Sequence, residues 1–389
     1  MRWGKQISGI ITAAMVTATL LAGGSPSLAA APKAGAACSP AGKTISSGKS
    51  TFTCVKSGKK LVWKASAAAK PAPAPKPTES STAAPAFQGL TPSENAAAAW
   101  TRSGWVKPSG ASATVSAASA NFKSYISTTR NPNAKVTVWA ETGADPVLVN
   151  WVTKGSQLVA DSFETPGAMN QFNDVLAVSR KYLVDTFTTL YDSRYADAQA
   201  GAWDSGNPAW GGRTSNAWSL ANITTNKGMV NDRVGMAQTA GHEYFHAIQE
   251  NFVNASGTNC GPCGTPQWFW EGPAMFVGLQ TANQLGFVDY TADGRPTSVN
   301  RVHRFPTAKL KLEDVSVNTP PSVDPYGIGE IATEFLVANV GMAKFVDIYR
   351  QIGAGASFAV AFEKATGVPL SDFYLMFEDA RTDLGIPQE

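Results

Sequence analysis

The stretch Gly241-His242-Glu243-Tyr244-Phe245-His246-Ala247 constrains this chain more than any other. Residues four apart on a helix share a face, so a helix here aims two imidazoles at one point. A divalent cation suits such a pair, and Glu243, one step round the same turn, can hold a water and take its proton. The alternative is an ordinary polar helix face. Only three histidines occur in 389 residues, and two of them are here. The helix is predicted over roughly 231–252. Val234, Ala237, Gly241, Tyr244 and Ile248 fall on its packing stripe, with the histidines on the adjoining face. Gly241 either permits close approach of another backbone or is a neutral packing residue.

A hydrolytic zinc site usually takes three protein ligands and leaves a fourth position for water. Gln249 and Phe252 exclude the pattern in which Gly and His stand three and six residues after the second histidine. A carboxylate follows in Trp268-Phe-Trp-Glu271-Gly-Pro-Ala-Met, 25 residues beyond His246. Glu271 is therefore the leading third ligand, although a helix-start carboxylate facing the macrodipole would look the same. Asp324, in Asp324-Pro-Tyr326-Gly327, and then His303 are the rivals.

His242-Glu243-x-x-His246 followed by Trp270-Glu271-Gly272-x-Ala274 resembles the gluzincin metallopeptidases, in particular their peptidase MA-like branch. The resemblance covers roughly residues 95–384 and is carried by these two motifs. It implies a zincin-like fold, Zn2+ on His242, His246 and Glu271, and Glu243 as general base. Tyr326-Gly-x-Gly-x-x-Ala-x-x-Phe-Leu is similar to the helix that closes the gluzincin cleft. In that setting Tyr326 is the donor to the oxyanion; a tyrosine satisfied by backbone, or His303 in the same role, are the alternatives. One departure stands out. Thermolysin-like members place an aspartate four residues after the ligand glutamate, and this chain has Met275, which leaves the orienting partner of His242 unassigned.

Charge is divided unevenly along the chain. All 29 acidic residues lie at or beyond Glu79, and 11 basic residues precede it, leaving 21 basic residues and a net charge of −8 in the remainder. A basic head on an acidic body points to a polyanion-binding head or a solubilising tail. Nucleic-acid binding by the body is disfavoured, because its basic pairs form no stripe. Residues 1–30 read as a secretory signal peptide: Arg2 and Lys5, an apolar run from Ile7 to Leu21, then Ser27-Leu28-Ala29. That run is short and interrupted, so no membrane span is expected in the mature protein. Residues 38–64 read as a small β-module of two strands around a Ser-Gly turn, stapled by Cys38 and Cys54 and centred on Trp63. The module resembles a short Cys/Trp unit of exported actinobacterial proteins, and its lysines suit an anionic cell-wall polymer. Residues 65–86 are an Ala/Pro/Lys-rich linker. Cys260 and Cys263 are read as a second, loop-stapling disulfide.

The catalytic body is assigned to 87–389. Helices are predicted over 114–128 and 144–163 and strands over 135–140 and 215–224, with 176–191 ambiguous. Four helices then follow between 326 and 384, with Ile328, Ile331, Phe335, Phe345, Phe358, Phe362, Phe373 and Phe377 inside. The fold class is α+β: a small sheet and the His-Glu-x-x-His helix, followed by a helical C-terminal subdomain. The function read from these residues is an exported or wall-associated zinc metallopeptidase acting on a peptide or protein, with Ala217–Ile223 pairing with the extended substrate. A zinc hydrolase of a non-peptide amide, and a non-catalytic wall-associated binding protein, are the alternatives.

Overall fold

The structure, a computed structural model, describes residues 35–39, 44–47, 50–58, 60–67, 91–164, 171–191, 193–204, 209–213, 217–223, 232–253, 264–304, 310–316 and 323–386. The expected signal peptide, the linker beyond Ala67, and the pair Cys260 and Cys263 lie outside the described residues. The chain divides after Ser80 into two compact units.

In the first unit β1 (Thr44–Ser47), β2 (Ser50–Ser57) and β3 (Lys60–Ala67) form an antiparallel sheet in sequence order. The sequence predicts two of these strands; β1 is additional, and β3 runs three residues into the stretch read as linker. Gly58, at φ 61°, sits in the tight loop between the paired residues Ser57 and Lys60, a backbone conformation that glycine adopts without strain. Cys54 faces Trp63 across the ladder, and both are buried. A disulfide from Cys54 to Cys38 ties the preceding segment to the sheet, where Ala37 bridges Val62. Disulfide and indole together replace the core that so short a sheet cannot build.

The second unit is mostly helical around one small sheet, an α+β arrangement. Its helices open with α1 (Pro92–Ser103), started by a reciprocal capping box between Thr91 and Glu94, and α2 (Ala111–Ile126). The sheet comprises β4 (Lys135–Ala140), β5 (Gln171–Ala177), β6 (Ala209–Arg213) and β7 (Ala217–Ile223), in the order β4-β5-β7-β6. The first three in that order run parallel, and β6 is antiparallel. Helix α3 (Pro146–Ser162) connects β4 to β5. The ambiguous segment after Leu176 resolves into the end of β5 and α4 (Arg180–Leu190), started by the Ser179 hydroxyl, which accepts from the Tyr182 amide at 3.2 Å. Helix α5 (Ser193–Asp204) follows.

Strand order corrects one expectation. β7 pairs with β5 on one side and β6 on the other, so its backbone is committed within the sheet and cannot pair with a substrate. Among the described strands, β6 has the outer edge next to the histidine-bearing helix.

That helix, α6 (Arg233–Val253), packs along α7 (Gln267–Gln284). A π-helical turn, Tyr290–Gly294, leads into α8 (Arg295–Arg304). Helix α9 (Pro325–Gly353) is interrupted at Gly341 (φ 77°, ψ 162°), which separates the two helices expected over 326–339 and 342–351. Helices α10 (Phe358–Thr366) and α11 (Leu370–Ala380) complete the unit. Seven of the eight expected interior residues are buried; Phe358 is half-buried and leans on Trp268 and Phe269. Among the described residues, no helix is long and apolar enough to cross a membrane.

Candidate metal centre

His242 and His246 project from the same face of α6, and Glu271 meets them from the beginning of α7. The two Nε2 atoms are 3.1 Å apart, and Glu271 Oε2 lies 3.5 Å from His242 Nε2 and 3.2 Å from His246 Nε2. Side-chain exposures of 8%, 13% and 22% leave the three largely buried, the carboxylate the least so. Together they could hold a metal ion: one ligand atom from each converges within 4.8 Å.

Glycines set this convergence. A Cβ on Gly241 would stand 3.0 Å from Gly278 Cα, and one on Gly278 would stand 2.6 Å from the Gln238 carbonyl. A Cβ on Gly272 would fall 2.2 Å from the Gly329 carbonyl carbon. Helix α6 therefore crosses α7 backbone to backbone immediately before His242, and α7 crosses α9 in the same way immediately after Glu271. Residues with side chains would hold these axes farther apart.

The rings are braced as well. His246 stacks on Trp270, with centroids 5.5 Å apart and planes at 21°. His242 lies against Tyr326 at 5.7 Å, and the Arg301 guanidinium sits 4.9 Å from the Tyr326 ring centre. His246 Nδ1 is 2.7 Å from Gln249 Oε1. His242 Nδ1 is buried, with no hydrogen-bond partner among the described residues.

Electrostatically the recess favours positive charge. Burial opposes charge on His246, but the carboxylates of Glu271 and Glu243 overcome it and raise the imidazole pKa to about 9. Burial likewise opposes charge on Glu271, yet the two imidazoles win and hold its carboxyl well below the usual range. A recess of this kind suits a cation, and ligands bind one only in their deprotonated forms. Tyr326 is pushed the other way: burial, with the charges of Glu271 and Glu243, raises its phenol far above the ordinary value and keeps it a donor.

The rival ligands have other roles. Asp324 caps α9, its Oδ1 accepting from the Tyr326 amide at 2.9 Å, and its Oδ2 lies 2.8 Å from Arg301 Nε. His303 is exposed on α8 and is not among the converging groups. Sequence reasoning quoted Trp270 without giving it a role and missed Gln249, Arg301 and Tyr349. Only Gln249 had a legible signal, since a residue three positions after His246 shares its helix face. No protein-family profile, curated protein or solved structure matches this chain.

Proposed function

We propose that the chain is a zinc metallopeptidase of the gluzincin kind, acting outside the cytoplasm. One observation carries the reading. Zinc with bonds of about 2.0–2.2 Å in tetrahedral geometry sets its ligand atoms roughly 3.3–3.6 Å apart. The three ligand atoms here stand 3.1, 3.2 and 3.5 Å apart. Two imidazole nitrogens and one carboxylate oxygen also form the donor set of a hydrolytic site that leaves a fourth position open.

Bound to His242, His246 and Glu271, zinc would supply Lewis acidity and lower the pKa of a bound water to about 7. Glu243, adjacent to His242 on α6, accepts a proton from the attacking water and returns it to the leaving amine. Tyr326 donates its phenol hydrogen to the oxygen of the attacked carbonyl. Among the described residues no strand pairs with the outer edge of β6, and that edge would suit an extended peptide. The Cys38–Cys54 disulfide supports an oxidising compartment, and Lys56, Lys60 and Lys64, exposed on the first unit, support an anionic wall polymer as partner.

The test is zinc content and casein-type proteolysis of wild type, Glu243→Gln and Glu271→Ala. The expected result is stoichiometric zinc in the first two, loss of zinc in the third, and proteolysis only in wild type. Zinc without cleavage of any peptide would favour the non-peptide hydrolase or the binding protein. Absence of zinc from wild type would mean that the His-Glu-x-x-His match is accidental and would overturn both zinc-hydrolase readings.

A further inference from the structure

We propose that Gln249 is a positioning residue that fixes which nitrogen of His246 faces the metal and couples that ring to the turn carrying Glu271. The inference rests on the metal-centre reading above.

A buried chain of hydrogen-bonded groups fixes the orientation of Gln249. Pro273 lies inside α7 and has no N–H, so the carbonyl of Phe269, four residues earlier, loses its helical donor. The Tyr349 hydroxyl of α9 replaces it, donating to that carbonyl at 2.8 Å. Having spent its only hydrogen there, Tyr349 can only accept from Gln249, whose Nε2 is 2.9 Å away. The same Nε2 donates to the Trp270 carbonyl at 2.8 Å. Both partners of this amide end are therefore acceptors, which orients the Gln249 side chain without ambiguity: nitrogen toward Tyr349 and Trp270, oxygen toward His246.

An oxygen 2.7 Å from His246 Nδ1 requires a hydrogen on that nitrogen. In the neutral ring the lone pair then resides on Nε2, the atom beside His242 Nε2 and Glu271 Oε2. Gln249 and Tyr349 are fully or almost fully buried, so water does not compete for these bonds. Because the chain ends on the carbonyls of Phe269 and Trp270, it also ties the histidine on α6 to the two residues preceding Glu271 on α7. An amide, unlike a carboxylate, fixes the tautomer without adding negative charge to the recess.

The experiment is competition for zinc between a chromophoric chelator and the full chain, as wild type, Gln249→Leu, Gln249→Glu and Tyr349→Phe, with urea midpoints measured in parallel. Gln249→Leu should weaken zinc binding by about 10–100-fold. Gln249→Glu, which keeps an acceptor facing Nδ1 but sets an oxygen against the Trp270 carbonyl, should recover only part of that loss, and Tyr349→Phe should show a smaller weakening. A purely structural role would lower the urea midpoint of Gln249→Leu and leave the zinc constant of the folded protein unchanged, which would overturn the proposal. Nitrogen-15 NMR of zinc-loaded wild type decides the matter even where Gln249→Leu does not fold. The expected spectrum has a proton on His246 Nδ1 and zinc on Nε2; zinc on Nδ1 would refute the assignment. Wild type that takes up no zinc would refute the metal reading itself, whereas zinc binding indifferent to residue 249 would refute this inference alone.

Discussion

Gly272→Ala is the substitution for which the structure gives the clearest magnitude. The new methyl carbon would stand 2.2 Å from the Gly329 carbonyl carbon, and 2.4 Å from both its Cα and its oxygen. Ordinary carbon–carbon contact begins near about 3.5 Å, so α7 and α9 must part by roughly 1 Å. No side-chain rotation relieves the clash, because every atom met is backbone. Overpacking of this kind costs about 3 kcal/mol, the upper part of its usual range. For a unit of this size each kcal/mol is worth about 2 °C, so the melting temperature should fall by about 6 °C. A matched control lies in α5, where a Cβ on Gly201 meets nothing within 4 Å. Gly201→Ala should therefore stabilise, by about 0.5–1 kcal/mol, through the helical preference of alanine. The assay is far-UV circular dichroism through thermal and urea unfolding of both variants, with zinc content measured on the folded protein. Gly272→Ala unfolding within about 0.5 kcal/mol of wild type would refute the claim that the backbones meet at this crossing.

Glu330 and Glu334 share a buried site with Tyr290, Arg295 and Ser298; burial, then the charge of Glu334, raises the Glu330 pKa from 4.5 to about 8. A carboxyl with a raised folded pKa holds its proton longer in the native state, so stability is lost as pH rises from about 4.5 through about 8. Urea midpoints of wild type should fall from pH 5 to pH 9 relative to Glu330→Gln, and parallel curves would contradict the assignment. Asp324→Ala removes the cap of α9 and strands Arg301, and should cost about 1–2 kcal/mol. Asp324→Asn, which keeps the cap but not the charge, should recover part of this in the same urea titration; equal losses would show that the ion pair alone matters.

The sequence displays what is local and periodic. His242, Glu243 and His246 are legible because helix geometry alone places them, and the C-terminal helices because glycines punctuate an apolar repeat. Asp324 offered a false lead as a ligand, though Pro325 at the first helical position marked it as a cap. β5 is harder to see: Asn173 and Asp174 break its apolar run, yet Asp174 is fully buried. The order of β6 and β7 is written nowhere in local pattern, since both have equal claim to an edge until their partners are known. Tyr349 lies 100 residues from the glutamine it orients, and no spacing rule reaches that far.

Pro273 has a consequence for how the molecule opens. The turn bearing Glu271 has surrendered a rung of its own helix and taken one from Tyr349 instead. Its cooperative unit is thus drawn across three helices rather than along one. Fluctuations that fray α7 from its far end can leave this turn in place, whereas undocking the part of α9 that contains Tyr349 releases it. In local-unfolding terms, the third ligand belongs energetically to its neighbours more than to the helix in which it is written.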